Sequence, residues 1–251
     1  MKNNFKKLVT IFILNFIFFT EILANDFNFK ISELEILDNG NIFKGIKGGT
    51  VKTNDGMEII SENFTYNKSK NKLEAQGNVI VIDTKKDIIL NSNKIIYLKD
   101  KEKIFTKGKT KVNVKNKYFI DTKNLIMLRE DNYLSSSDKT LIKDTLSNIY
   151  NLDEFHYSIE NEILKGSEIE VITNFNKAKS DTYFFKLGFL DLKNKNFLAK
   201  DVEVDFDKKL FGNSKNDPRL KGVSGYGDEY NTFLNKGTFT TCEKTDKCPP
   251  W

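Results

Sequence analysis

From residue 57 to residue 208 the sequence repeats a pair of strand-like runs about every 30 residues, and this period constrains the fold more than any other feature. The first unit reads MEIISENFTYN (57–67) and then KLEAQGNVIVID (72–83). Later units pair 87–100 with 103–115, 117–130 with 132–144, 148–161 with 162–174, and 181–195 with 196–208. A half unit, 40–55, precedes them. Each run is rich in Ile, Val, Phe, Tyr and Thr and is bounded by Asn, Lys, Asp or Gly, the strand-and-turn pattern. Proline is absent from Met1 to Asp217, which suits long, uninterrupted strand pairing.

One such two-stranded unit cannot bury its apolar face, whereas units in series share a continuous interior. The expected fold class is therefore all-β, an elongated β-roll of stacked antiparallel strand pairs. Alternation within strands nominates inward side chains: Leu73, Ala75, Val79 and Val81 in one run, Ile104, Val112 and Val114 in another. Ile80 and Ile82 blur the alternation. Gly77, Gly108 and Gly166 fall at similar points of their units and are expected at bulges, where alternation flips. Residues 209–251 are rich in Gly, Asn, Asp and Lys and read as loops with short strand-like islands.

The N-terminus carries Lys2, Lys6 and Lys7, then an apolar run from Leu8 to Phe19, then Ala24. A bilayer span takes about 20 apolar residues, so this shorter run reads as a secretory signal peptide ending at 24. Removing Lys2, Lys6, Lys7 and Glu21 from the total of +5 leaves about +3, with lysines spread evenly, which does not point to nucleic acid. Cys242 and Cys248 are the two cysteines, and an exported chain meets an oxidising compartment, so they are disulfide candidates, with each other or with another chain. Their spacing without a nearby His makes a poor metal site. His156 is the sole histidine and lies in the strand-like EFHYSI, and Gly225-Tyr226-Gly227 is followed by no helix. No enzymatic activity and no cofactor is expected.

The plan "strand, turn, L-x-A-x-G-N-V", best kept as KLEAQGNVIV (72–81), resembles the OstA-like repeat of lipopolysaccharide-transport proteins. The repeat is shared with the LptA bridge proteins and with LptC. More specific are NDPRLKGVSGYG (216–227) and NKGTFTTCEKTDKCPPW (235–251), which look like the end of the periplasmic domain of the LptD family of outer-membrane lipopolysaccharide-assembly proteins, alphaproteobacterial type. The resemblance covers essentially all of the chain after the signal. It implies a signal peptide (1–24), an OstA-like β-jellyroll (25–210) and a loop-rich connector (211–251) toward an outer-membrane barrel whose strands are not in this sequence. It implies a periplasmic, outer-membrane-associated conduit that shields lipid A acyl chains, with Leu73, Ala75, Val79, Val81, Ile104, Val112 and Val114 as lipid-lining candidates. Lys107, Lys109 and Lys111 are candidates to meet lipid A phosphates. The implied partners are lipopolysaccharide, an LptA-like bridge protein joined by strand addition at 27–38, and the barrel with its LptE-like lipoprotein plug. In that family such cysteines pair with barrel cysteines. The alternatives are an LptA-like bridge and a β-repeat scaffold or adhesin with no ligand.

Overall fold

The computed structural model describes residues 27–244 apart from 178, 214 and 229. The expected signal peptide and Cys248 lie outside the described residues. Three strands come first among the described residues: β1 (Phe27–Leu37), β2 (Ile42–Thr53), and a broken strand made of β3 (Met57–Ser61) and β4 (Asn63–Asn67). Next come β5 (Lys72–Asp83), β6 (Ile88–Leu98) and β7 (Lys103–Val114). Three more broken strands follow: β8 (Tyr118–Lys123) with β9 (Ile126–Leu128), β10 (Tyr133–Ser136) with β11 (Thr140–Asp144), and β12 (Ile149–Leu152) with β13 (Glu154–Ser158). The series ends with β14 (Ile163–Ile172), β15 (Thr182–Asp191), β16 (Asn196–Asp205), β17 (Arg219–Gly227), β18 (Thr232–Asn235) and β19 (Thr238–Thr240). All 19 belong to one sheet. Every pairing is antiparallel and joins a strand to the next along the chain, so the runs read from the sequence form a single meander.

Each strand bends near its middle, and the bends line up about 15 residues apart. They fall between Ile31 and Glu33, at Glu62, between Gln76 and Val79, and between Ser92 and Lys94. Residues in the left-handed region mark many of them: Lys47, Gly48, Gly77, Asn78, Gly108, Asn124, Glu168 and Asp201. The column of bends is a spine along which the sheet folds over on itself. The hairpin turns also use left-handed residues, among them Asn39, Asn71, Asn116 and Asn132. Asn reaches that region more readily than most side chains because its short amide bonds locally. The chain's many asparagines thus serve its turns.

The two half-sheets face each other across one packed core. All seven inward candidates lie in it, with exposures of 0–2%. Ile80 and Ile82 are only partly buried on the other face. The expected flip at a bulge occurs in β6, where Ile88 and Leu90 are inward before the bend and Ile95 and Tyr97 after it. It does not occur in β5 or β7, whose bends hold one extra residue and restore the alternation. Gly77 (φ +89) and Gly108 (φ +80) stand at these bulges. Gly166 does not: its role is close packing, since an added Cβ would lie 2.5 Å from the Glu154 carbonyl oxygen.

Strand pairing runs on beyond residue 210, into the segment read as loops with short strand-like islands. β17 pairs with β16 from Arg219↔Asp205 to Gly227↔Phe197. The glycines that suggested loops let the sheet close on small side chains: Gly222 and Gly225 are buried, and Leu234 packs over both. The two terminal segments that carried the resemblance pair with each other, Arg219↔Thr240 through Lys221↔Thr238. Arg219, 1% exposed, donates to the Cys242 carbonyl at 2.7 Å.

Candidate functional site

A folded sheet has a spine on one side and, on the other, two rows of hairpin turns that meet as lips. One lip holds the turns at 54–56, 84–87 and 115–117, and the facing lip holds those at 68–71, 99–102, 129–132 and 159–162. Within the second lip, backbone bonds run from turn to turn: Lys99 N to Asn71 O, Arg129 N to Glu102 O and Ile159 N to Asn132 O. Between the lips the contacts are side-chain contacts. The seam is therefore the part of the roll that can open without breaking a strand ladder.

Arg129 closes the seam at its most buried point. Its side chain is 4% exposed. It donates through Nε to Asp83 at 2.9 Å and through Nη1 to Asp55 at 2.9 Å, to the Tyr97 hydroxyl at 3.1 Å and to Glu102. Asp55 and Asp83 come from one lip, Glu102 and Tyr97 from the other half-sheet. Lys99 adds a second cation, 3.6 Å from Asp55 and paired with Glu102. Burial acts to raise the Asp55 pKa, but hydrogen bonds from Thr53 and Arg129 and the charges of Arg129 and Lys99 outweigh it, and the carboxyl is held well below the usual range. Burial pushes the Tyr97 phenol far up, so it stays a neutral donor to Glu102 at 2.8 Å.

Further along, the Lys86 ammonium donates to Asn132, and Lys115 donates to the Ile159 carbonyl at 3.1 Å. Lys117 pairs with Glu162, which also accepts from Tyr118 at 3.0 Å. Tyr118 meets Tyr157 edge-on across the core at 5.6 Å, and the buried Tyr157 hydroxyl has no hydrogen-bond partner among the described residues. Over these contacts lies a cavity of about 590 Å³, lined by Asp55, Lys85, Lys86, Glu102, Lys115, Arg129, Glu130, Asn132, Ile159 and Glu160. The sequence reading missed this cluster because the residues that meet across the seam are about 45 to 75 positions apart and sit on or beside turns, where charge is ordinary.

Lys107 and Lys109 do not reach the seam. They flank the Gly108 bulge on the spine, exposed, with Lys107 opposite Lys94 and Lys109 opposite Lys123. Lys111 is on the outer face, opposite Asp121. All three therefore lie away from the seam.

His156 lies on the outer face, with Nδ1 2.7 Å from the Tyr133 hydroxyl and Nε2 3.1 Å from Glu154. Burial and the Glu154 charge raise the Tyr133 pKa, which disfavours it as a nucleophile. Beside it is an open groove of about 670 Å³ that includes Leu187, Phe189, Leu198 and Val223. Cys242 is disulfide-bonded. Among the described residues no group of three or more His, Cys, Asp or Glu is placed to hold a metal ion, and no helix is long and apolar enough to cross a membrane. A scan against protein-family models gives no match for this chain, and a search of the curated proteins gives none either.

Proposed function

We propose that the protein is a lipopolysaccharide-transport module of the LptD type, a periplasmic roll that shields lipid A acyl chains and hands them on toward an outer-membrane barrel. The observation that carries this reading is an unbroken apolar interior within one folded sheet, closed along one side by non-covalent polar contacts between turns. Each methylene kept from water is worth roughly 0.8 kcal/mol, so several acyl chains supply ample driving force without covalent chemistry. The interior is packed with the seam shut. Chains enter when the lips part, lying against Leu73, Ala75, Val79, Val81, Ile104, Val112 and Val114 while the headgroup stays at the seam.

Strand addition at the ends of the roll supplies the partners. Among the described strands β1 pairs only with β2, and its other edge lies beside exposed Leu34, Ile36 and Leu37. An LptA-like bridge protein adds there. The barrel and its LptE-like plug belong at the β18–β19 end. A second reading, a β-repeat scaffold without a ligand, is favoured by the close packing of the same seven residues. Lipid extraction separates the two: protein purified from cells making lipopolysaccharide carries lipid A in the transport reading and none in the scaffold reading.

A further inference from the structure

Five tyrosines are buried in the core: Tyr66, Tyr97, Tyr118, Tyr150 and Tyr157. Four of them anchor their hydroxyls on polar side chains at the turns: Tyr66 donates to Asn71 at 3.0 Å, Tyr97 to Glu102 at 2.8 Å, Tyr118 to Glu162 at 3.0 Å and Tyr150 to Asp144 at 3.1 Å. Tyr157 differs. It is 2% exposed, stands in register with Leu134 of β10 and Leu164 of β14, and its buried hydroxyl has no hydrogen-bond partner among the described residues. Phenylalanine would fill the same space without burying an unbonded polar group, so packing alone does not account for a tyrosine there. Burial raises the Tyr157 pKa, and the Glu162 charge and Tyr150 raise it further, so the phenol keeps its proton. Two residues along the chain is Ile159, which belongs to the core and lines the seam cavity. Tyr157 therefore stands about 7 Å inside the lip, at two residues of extended chain. Tyr118 reaches it edge-on from the opposite half-sheet.

We infer that Tyr157 is a specificity-determining residue of the interior: its hydroxyl bonds a hydroxyl group carried by an acyl chain close to the head, and so favours hydroxylated chains over plain ones. The assignment rests on the transport reading for its acyl ligand and adds which chains the interior prefers. A ligand hydroxyl both donates and accepts, so it is served whichever way the phenol turns. A plain chain leaves Tyr157 unbonded, and a buried polar group left unpaired is what lets a site discriminate against a ligand that lacks the matching hydroxyl. The short depth below the lip places the preferred hydroxyl near the head of the chain rather than at its tail.

The test is calorimetric titration of the full chain with 3-hydroxytetradecanoate and with tetradecanoate, each below its micelle concentration. The unaltered chain binds the hydroxy acid about three- to tenfold more tightly, the span of one neutral hydrogen bond. Tyr157→Phe, which keeps the ring, removes that preference and leaves tetradecanoate binding unchanged. Tyr66→Phe, at a buried tyrosine whose hydroxyl Asn71 already holds, keeps the preference. A preference that survives in Tyr157→Phe overturns the assignment, and so does an equal weakening of both acids, which marks the residue as packing alone. Equal binding of the two acids by the unaltered chain overturns the proposed selectivity and leaves the transport reading standing. Binding of neither acid defeats the transport reading and the selectivity with it.

Discussion

Replacing Arg129 by Met tests whether the seam is held by one buried cation. The guanidinium is matched by Asp83, whose side chain is fully buried, and by the less buried Asp55 and Glu102. Breaking a buried ion pair from one side costs about 3–5 kcal/mol, because the remaining charge is left without water or partner. Domains are stable by about 5–15 kcal/mol, so the loss is a large share of the total. At about 2–4 °C per kcal/mol for a domain of this size, the melting midpoint should fall by roughly 6–20 °C. Thermal unfolding followed by far-ultraviolet circular dichroism measures it. Adding Asp83→Leu to Arg129→Met should recover most of the loss, since Asp55 and Glu102 reach solvent and Lys99, and a neutral buried pair carries no desolvation cost. A midpoint for Arg129→Met close to that of the unaltered chain would refute the reasoning and show that Lys99 suffices.

Tyr157→Phe should stabilise the roll by about 1 kcal/mol, because the hydroxyl it removes is buried without a hydrogen-bond partner among the described residues; a loss of similar size in urea would show the hydroxyl to be bonded. Gly166→Ala should cost about 1–3 kcal/mol through overlap with the Glu154 carbonyl and Leu152, while Gly108→Ala, at φ +80 but in open space, should cost about 1 kcal/mol. Their midpoints in parallel melts check the order. Burial acts to raise the Glu162 pKa, but bonds from Lys117 and Tyr118 outweigh it and lower it below the usual 4.5. Its stabilisation is therefore full above pH 4.5 and is lost as pH falls through the lowered folded value. A pH series of urea midpoints should decline below that point, and less steeply in Glu162→Gln.

Strand positions were legible because alternation and turn residues are local. KLEAQGNVIVID became β5, KIFTKGKTKVNV became β7, and Leu73, Val81 and Val114 point inward as read. The folding of the sheet along its spine was not legible, because it depends on bends in many strands coming into line. The terminal strands were hidden by Gly222 and Gly225: absent side chains read as loop, whereas in the roll they make room for Leu234. The seam was hidden for a different reason. Asp55, Asp83, Glu102 and Arg129 each sit on an ordinary polar turn, and only the stacking of turns at a common period brings them together.

The central claim is that the apolar interior takes up acyl chains. Photocrosslinking tests it most directly, with a photoreactive residue in place of Val79 or Val112 and, as the exposed control on the spine, Lys107, in cells that make lipopolysaccharide. The account predicts lipopolysaccharide adducts at both interior positions and none at Lys107. A folded protein that gives no adduct at either interior position would contradict it and leave a side-chain-filled β-scaffold.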